Sequence, residues 1–297
     1  MASPELIKEL EEKKKAVIKN TLTIFEGSGG GHVGGSFSLI DIVTALYFHQ
    51  MKIDPDNPYW PERDRLILSK AHCCETLYAA FAEIGWISKE ALKTYYRLGS
   101  PLQGHADRWA TPGIEFSGGS LGEGLSYSLG MALASRIEEA TFEMGGFMGA
   151  MMPGIIYRLP PKYHVYCILG DGECHEGQVW EAAMAAAKYR TDNLIAIVDY
   201  NKYCVDGPSM EVMKLEPFAE KWKAFGWWVT EINGHDLSQI VDTLHMTSSL
   251  YGDGKPKCII AHTIKGKGVP EWESKHTHYG FGPEIVKGME EAKEKFG

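Results

Sequence analysis

The chain has 297 residues, of which 44% are hydrophobic and 23% charged, and its formal net charge at pH 7 is −9. This apolar content excludes a disordered chain, and the acidic balance argues against a general binder of nucleic acid or of anionic membranes. Apolar runs stay shorter than the roughly 18 residues that span a bilayer, so no membrane protein is expected. The charged N-terminal segment lacks the features of a secretory signal, which predicts a cytoplasmic protein whose cysteines are reduced thiols.

Two helices separated by a glycine-dense loop are predicted for the N-terminal part of the chain. Residues 4–26 have an amphipathic pattern that ends at Gly27, which is typical of a helix with a glycine C-cap. The loop 27–35 follows, with a glycine content typical of backbone that lies close to a ligand. Residues 38–51 then predict a second helix, for which Ser38 is the expected N-cap.

Apolar runs and amphipathic segments alternate along the rest of the chain. Strands are predicted over 64–69, 164–172, 193–201, 227–234 and 257–266. Helices are predicted over 125–140, 176–190, 236–249 and 282–296, with a Gly-, Met- and Pro-rich excursion at 144–161. Strands joined by helices form right-handed βαβ units in a parallel sheet. The sequence therefore predicts one α/β domain over residues 1–297, a doubly wound, mostly parallel sheet with helices on both faces.

Two polar side chains follow neighbouring strands of this predicted sheet. Asp171 stands between Gly170 and Gly172 at the end of one strand, and Asn201 ends the next strand along the chain. The carboxyl ends of parallel strands meet at one edge, where ligands bind, and oxygen ligands there suit Mg²⁺ shared with phosphate oxygens. Taken alone, GDG is more typical of a simple turn. The two positions together favour a magnesium–phosphate site.

GDG followed further along the chain by Asn resembles the thiamine-diphosphate motif. The segments GGGHVGGSFSLIDIV, DRLILSKAH, GHADRWATPGIEFSGGSLGEG, GDGECHEG, DYNKY and IKGKG resemble those of the transketolase family, in family order over nearly the whole chain. The resemblance covers the diphosphate-binding domain of a transketolase, whereas the pyrimidine-binding and C-terminal domains are missing. It implies the N-terminal subunit of a split transketolase with the thiamine-diphosphate-binding fold.

The resemblance also assigns expected roles to individual residues. Mg²⁺ would be bound by the side chains of Asp171 and Asn201 and by the carbonyl of Tyr203. The cofactor would be contacted by His72, Gly119, Ser120, Leu121, Gly172, Asn201 and His276. Substrate and thiazolium would face His32, His105 and His276, for which His278 is the alternative to the last. Glu176 and Glu181 match the glutamates that meet their symmetry mates at the dimer interface.

The implied activity is transfer of a two-carbon ketol unit from a ketose to an aldose, with phosphorylated sugars of the pentose phosphate type as expected substrates. The implied cofactors are thiamine diphosphate and Mg²⁺, which Ca²⁺ or Mn²⁺ can replace. The implied partner is a C-terminal subunit that carries the activating glutamate, in a two-plus-two assembly. Val33 and Ser120 replace family prolines, and Ala71 and Cys73 replace the glycines around His72. Because of these departures, the resemblance does not identify the sugar substrate.

Other interpretations compete with this one. The α subunit of a 2-oxo acid dehydrogenase also carries GDG and Asn and also needs a partner, but the several histidines favour a transketolase. A catalytically silent assembly subunit is disfavoured because Asp171, Asn201 and the histidines are present. A nicotinamide-dependent dehydrogenase is disfavoured because no GxGxxG follows a strand. A zinc site is disfavoured because the cysteines and histidines lack CxxC or HxxxH spacing.

Overall fold

A five-stranded parallel sheet lies at the centre of the computed structural model, which describes residues 1–143, 161–250, 252–275, 280 and 282–296. The strand order is β1-β2-β3-β5-β4, and every neighbouring pair is parallel. The strands are β1 (Arg65–Leu68), β2 (Val165–Gly170), β3 (Leu194–Tyr200), β4 (Trp228–Asn233) and β5 (Lys257–His262). Each lies within a predicted strand. The predicted α/β class and parallel sheet are confirmed.

Helices connect the strands and cover both faces of the sheet. They are α1 (Pro4–Ser28), α2 (Val33–Ala45), α3 (Cys74–Ile84), α4 (Glu123–Glu143), α5 (Gly177–Lys188), α6 (Ser209–Val212), α7 (Phe218–Ala224), α8 (Leu237–Ser249) and α9 (Pro283–Phe296). The short helices α6 and α7 were not predicted, because four and seven residues are too few to show a helical period. Within the described part of the chain, no helix combines the length and apolarity needed to cross a membrane.

Alternate residues along the buried strands face two separate hydrophobic cores. Ile195 and Ile197 of β3 pack with α1, α2, α3 and α8, whereas Ala196 and Val198 pack with α4, α5 and α7. Because successive side chains of a strand point to opposite faces, this alternation requires helices on both sides of the sheet. The two-sided burial explains why β2, β3 and β5 read as continuous apolar runs.

The termini of the first two helices differ from prediction. Helix α1 continues to Ser28, and the glycine that caps it in the left-handed conformation is Gly29 (φ 81°), not Gly27. Helix α2 begins at Val33, so the prediction of Ser38 as its N-cap is wrong. Ser38 lies inside the helix, and its hydroxyl donates to a carboxylate oxygen of Asp199 at 2.6 Å. The glycine-dense loop thus becomes helical earlier than its composition indicates.

Candidate functional site

A cavity of about 210 Å³ opens at the carboxyl edge of the sheet. Its walls come from the segments that follow β1, β2, β3 and β5. The lining residues include Lys70, His72, Leu121, Asp171, Gly172, His175, Glu176, Asn201, Tyr203, Cys204 and Lys265. The site therefore lies at the edge predicted from the positions of Asp171 and Asn201.

Asp171 lies at the floor of this cavity with its carboxylate almost fully buried. The hydroxyl of Ser209 in α6 donates to Oδ2 at 2.7 Å. The other oxygen, Oδ1, is buried and has no hydrogen-bond partner among the described residues. Burial raises the pKa of Asp171 to about 6. A buried carboxylate oxygen without a donor is suited to a cation, and this observation fits the predicted metal-ligand role.

Asn201 and Tyr203 line the same cavity from the loop after β3. The side-chain amide of Asn201 donates to Oδ2 of Asp199 at 2.9 Å, and its Oδ1 accepts the Tyr203 N–H at 3.1 Å. This second bond folds the loop back on itself and brings the Tyr203 backbone beside Asn201. The structure therefore brings Asp171, Asn201 and Tyr203 to one cavity, while their roles as metal ligands remain predictions.

Asp199 accepts hydrogen bonds from several of the segments around the cavity. It was not identified from the sequence. Its fully buried carboxylate accepts hydrogen bonds from Ser38, Lys70, Asn201 and Thr263. Burial alone would raise the pKa of Asp199, but the Lys70 ammonium and these donors lower it below its usual value. Burial likewise opposes the charge on Lys70, and Asp199 raises its pKa above the usual range. The two groups form a buried ion pair.

A second buried lysine reaches the cavity from the segment after β5. Lys265 is 1% exposed, and its ammonium lies 6.0 Å from the ring centroid of Tyr203. Burial, together with the positive charge of Lys70, lowers the pKa of Lys265. Two buried ammonium groups at one cavity suit a ligand with several negative charges. Lys70 directly follows the predicted strand 64–69, and this position was the available signal. Lys265 falls inside the predicted strand 257–266 and follows β5 only in the structure.

Three histidines from distant segments form a cluster beside the cavity. The ring centroid of His32 lies 5.4 Å from that of His72 and 5.5 Å from that of His105. His72 also lines the cavity, so the cluster continues its wall. Burial and the neighbouring His32 lower the pKa of His105, which favours its neutral form at neutral pH. The structure thus brings together the histidines predicted to face substrate, except for His276 and its alternative His278, which lie outside the described residues.

The remaining predicted site residues are less closely grouped. Leu121 lines the cavity, and a Cβ on Gly119 would lie 4.0 Å from the His105 ring. Ser120 is exposed and does not line the cavity. Glu176 lies at the rim, whereas Glu181 is exposed on α5, outside the cavity. Their predicted role as interface residues is compatible with this exposure but is not tested by it.

Comparison with protein families identifies the class to which this fold and site belong. Residues 15–297 match the family described as transketolase, thiamine diphosphate binding domain. The chain therefore belongs to the transketolase family, in its thiamine-diphosphate-binding domain, and the resemblance seen in the sequence is confirmed.

Relatives that are named as transketolase subunits match this chain nearly end to end. The 6-deoxy-6-sulfo-D-fructose transketolase subunit SqwG of Clostridium sp. (strain MSTE9) is 44% identical over 90% of this chain and 89% of its own length. An apulose-4-phosphate transketolase subunit of Phocaeicola vulgatus is 39% identical over 89% of this chain and 85% of its own length. The prediction of one subunit of a two-chain transketolase is therefore confirmed, in preference to a 2-oxo acid dehydrogenase.

Solved transketolases share the fold but are longer. The transketolase of Leishmania mexicana superposes with a TM-score of 0.84 at 28% identity, covering 100% of this chain and 41% of that one. A transketolase mutant from Pichia stipitis gives the same TM-score at 27% identity, covering 97% and 40%. The chain thus spans about two-fifths of these solved transketolases.

Proposed function

We propose that this chain binds Mg²⁺ and thiamine diphosphate in the cavity and, with a separate C-terminal subunit, transfers a two-carbon ketol unit from a ketose to an aldose. One observation carries the proposal: a buried carboxylate with an unpartnered oxygen and two buried ammonium groups border one cavity beside a histidine cluster. This combination suits a divalent cation bound to a diphosphate.

The residues of the cavity divide into those that hold the metal and those that hold the diphosphate. Asp171, Asn201 and the Tyr203 carbonyl would bind Mg²⁺. Lys265 and Lys70 would offset the charge of the diphosphate, which His72 and Gly172 would contact. Gly119, Ser120 and Leu121 would line the other side of the cofactor. When bound, thiamine diphosphate supplies a carbon nucleophile for a ketone carbonyl. Ca²⁺ or Mn²⁺ would replace Mg²⁺ with the same ligands.

The histidine cluster would move protons between the protein and the substrate hydroxyls. Burial lowers the pKa of His105 and so favours the neutral imidazole, which can accept a proton and later return it. His32 lies next to His105 and would serve the same substrate. His276, or alternatively His278, would complete this set.

The sugar and the assembly are proposed from the named relatives. Those relatives act on a sulfonated and a phosphorylated sugar, so we propose a sugar with a terminal anionic group. The C-terminal subunit would supply the pyrimidine pocket and the activating glutamate in a cytoplasmic two-plus-two assembly. Glu176 and Glu181 would lie where the two halves of this assembly meet.

Reconstitution tests the proposed function. The chain mixed with a C-terminal transketolase subunit from the same host, thiamine diphosphate and Mg²⁺ should transfer a ketol unit between a ketose phosphate and an aldose phosphate. Release of CO₂ from a 2-oxo acid without ketol transfer would instead support a dehydrogenase subunit. Cofactor binding by calorimetry without any turnover across a panel of anionic sugars would support a silent subunit.

A further inference from the structure

A buried glutamate lies directly behind the histidine cluster and has no role in the proposed site. Glu75 is in the first turn of α3 and is completely inaccessible to solvent. Its Oε1 accepts the backbone N–H of His32 at 2.9 Å and the Tyr95 hydroxyl at 2.8 Å, and Oε2 accepts the Ser36 hydroxyl at 2.9 Å. A buried carboxyl group is costly unless it is well supplied with donors, as this one is.

The His32 imidazole lies against the same carboxylate. Its Nδ1 is 3.4 Å from Oε1 of Glu75, while His72 and His105 surround the ring at centroid distances of 5.4 and 5.5 Å. Burial opposes the ionisation of Glu75, yet the close approach of the His32 imidazole lowers the Glu75 pKa below its usual value. An ionised carboxylate only accepts hydrogen bonds, so the nitrogen that faces it must carry the ring proton.

The loop before His32 also passes close to the Glu75 carboxylate. A Cβ on Gly31 would lie 2.7 Å from Oε1 of Glu75, so the loop before His32 can pass the carboxylate only as glycine. The backbone N–H of His32 and the hydroxyls of Ser36 and Tyr95 would be satisfied by any oxygen acceptor. A full negative charge has an additional effect only on the ring, because it selects the Nδ1–H tautomer.

We propose that Glu75 is a positioning residue that fixes the His32 ring and its Nδ1–H tautomer, so that Nε2 is the proton acceptor presented to a substrate hydroxyl. The proposal rests on the proposed function, in which His32 faces the substrate. In the proton transfer, the substrate O–H bond breaks and an N–H bond forms at Nε2, while Nδ1 keeps its proton. The resulting imidazolium is balanced by the Glu75 carboxylate until the proton is returned.

The tautomer of His32 can be measured in the full-length chain without any activity. Histidine ring ¹⁵N shifts, with the His32 signals assigned through His32→Gln, should show a protonated Nδ1 and a bare Nε2 at pH 8. Glu75→Gln keeps an oxygen for the backbone N–H of His32 but removes the negative charge beside Nδ1, so the Nε2–H tautomer should increase. The matched control Tyr95→Phe removes another hydrogen bond to Glu75 and should leave the His32 tautomer unchanged.

Kinetics of the reconstituted enzyme provide the second readout. Glu75→Gln should lower kcat about 10- to 100-fold, as loss of a group that orients a functional histidine does, with cofactor affinity unchanged. A bare Nδ1 in the wild-type chain would overturn the proposal even if Glu75→Gln failed to fold. So would an unchanged tautomer in folded Glu75→Gln. An inactive wild-type complex would contradict the proposed function instead, and the ¹⁵N shifts would still decide the role of Glu75.

Discussion

Asp171, the proposed metal ligand, has a cost for the stability of the ligand-free chain. Its carboxylate is buried with one oxygen unpartnered, and its pKa is about 6 compared with the ordinary value of 3.8. The unfolded chain therefore loses this proton at lower pH than the folded chain. The free energy of unfolding falls as the pH rises from about 4 to 6, and the penalty is complete above this window.

We predict that Asp171→Asn abolishes Mg²⁺-dependent binding of thiamine diphosphate and stabilises the ligand-free chain. At pH 7.5 the free energy of unfolding should rise by about 1–3 kcal/mol, because the buried charge is gone. Calorimetric titration and denaturant unfolding measure the two effects, and the stability difference should vanish near pH 4. Wild-type cofactor affinity in the folded variant would contradict the metal-ligand role.

Two histidines are predicted to affect turnover without affecting cofactor binding. His32→Ala and His105→Ala should each lower kcat of the reconstituted enzyme by about 10²–10⁴-fold, because each removes a positioned acid–base group. The cofactor dissociation constant should change little. His245→Ala, at an exposed position on α8, is the matched control and should be fully active. Wild-type turnover in both cluster variants would show that the predicted roles are wrong.

The site residues that could be predicted from the sequence share one property, which is their position at the end of a buried strand. Asp171 and Asn201 were identifiable because each directly follows a buried apolar run. Asp199 and Glu75 were not, since their roles depend on partners up to 161 positions away and on the register of the sheet. A charged residue within a strand or helix gives no signal of its own until its partner is known.

At the scale of elements, the end of β3 is the junction of the site. Asp199 receives donors from α2, from the segment after β1, from its own loop and from the segment after β5. Strand positions were predictable because two-sided burial produces long apolar runs. The start of α2 was not predictable from the sequence, because close packing rather than composition determines where this helix begins. A side chain on Gly35 would overlap the thiol of Cys73.

We predict that Asp199→Ala destabilises the chain by about 3–5 kcal/mol, because it leaves the Lys70 ammonium buried and unpaired. Cofactor binding should be lost as well, because Asn201 loses its anchor. Ser38→Ala removes one donor to Asp199 but keeps the ion pair, so it should cost only about 1–2 kcal/mol. Denaturant unfolding compares the two variants, and equal costs would show that the ion pair does not stabilise the fold.

At the scale of the whole molecule, apolar side chains are exposed around the mouth of the cavity. Val205 is 60% and Val212 41% exposed, and both line the cavity. Met213, which follows Val212 in the chain, is 58% exposed. Apolar groups gathered at the mouth of a binding site are typical of a surface that another chain covers.

We predict that the isolated chain is inactive, binds thiamine diphosphate weakly and self-associates at high concentration. In the proposed assembly the partner supplies the other wall of the site, so activation of the cofactor would require it. Addition of the C-terminal subunit should restore ketol transfer and yield a two-plus-two complex by native mass spectrometry. Robust turnover by the purified chain alone would contradict the two-chain assignment.

The convergence of four chain segments on Asp199 also has a consequence for the order of folding. The Ser38, Lys70 and Thr263 contacts close loops of 161, 129 and 64 residues, so they can form only after β1, β3 and β5 have come together. We therefore expect the cavity beside Asp199 to be among the last parts of the chain to be completed. A refolding chain should acquire helical signal and protection of its core amides before it can retain the cofactor. Cofactor retention thus reports on chains that have finished folding.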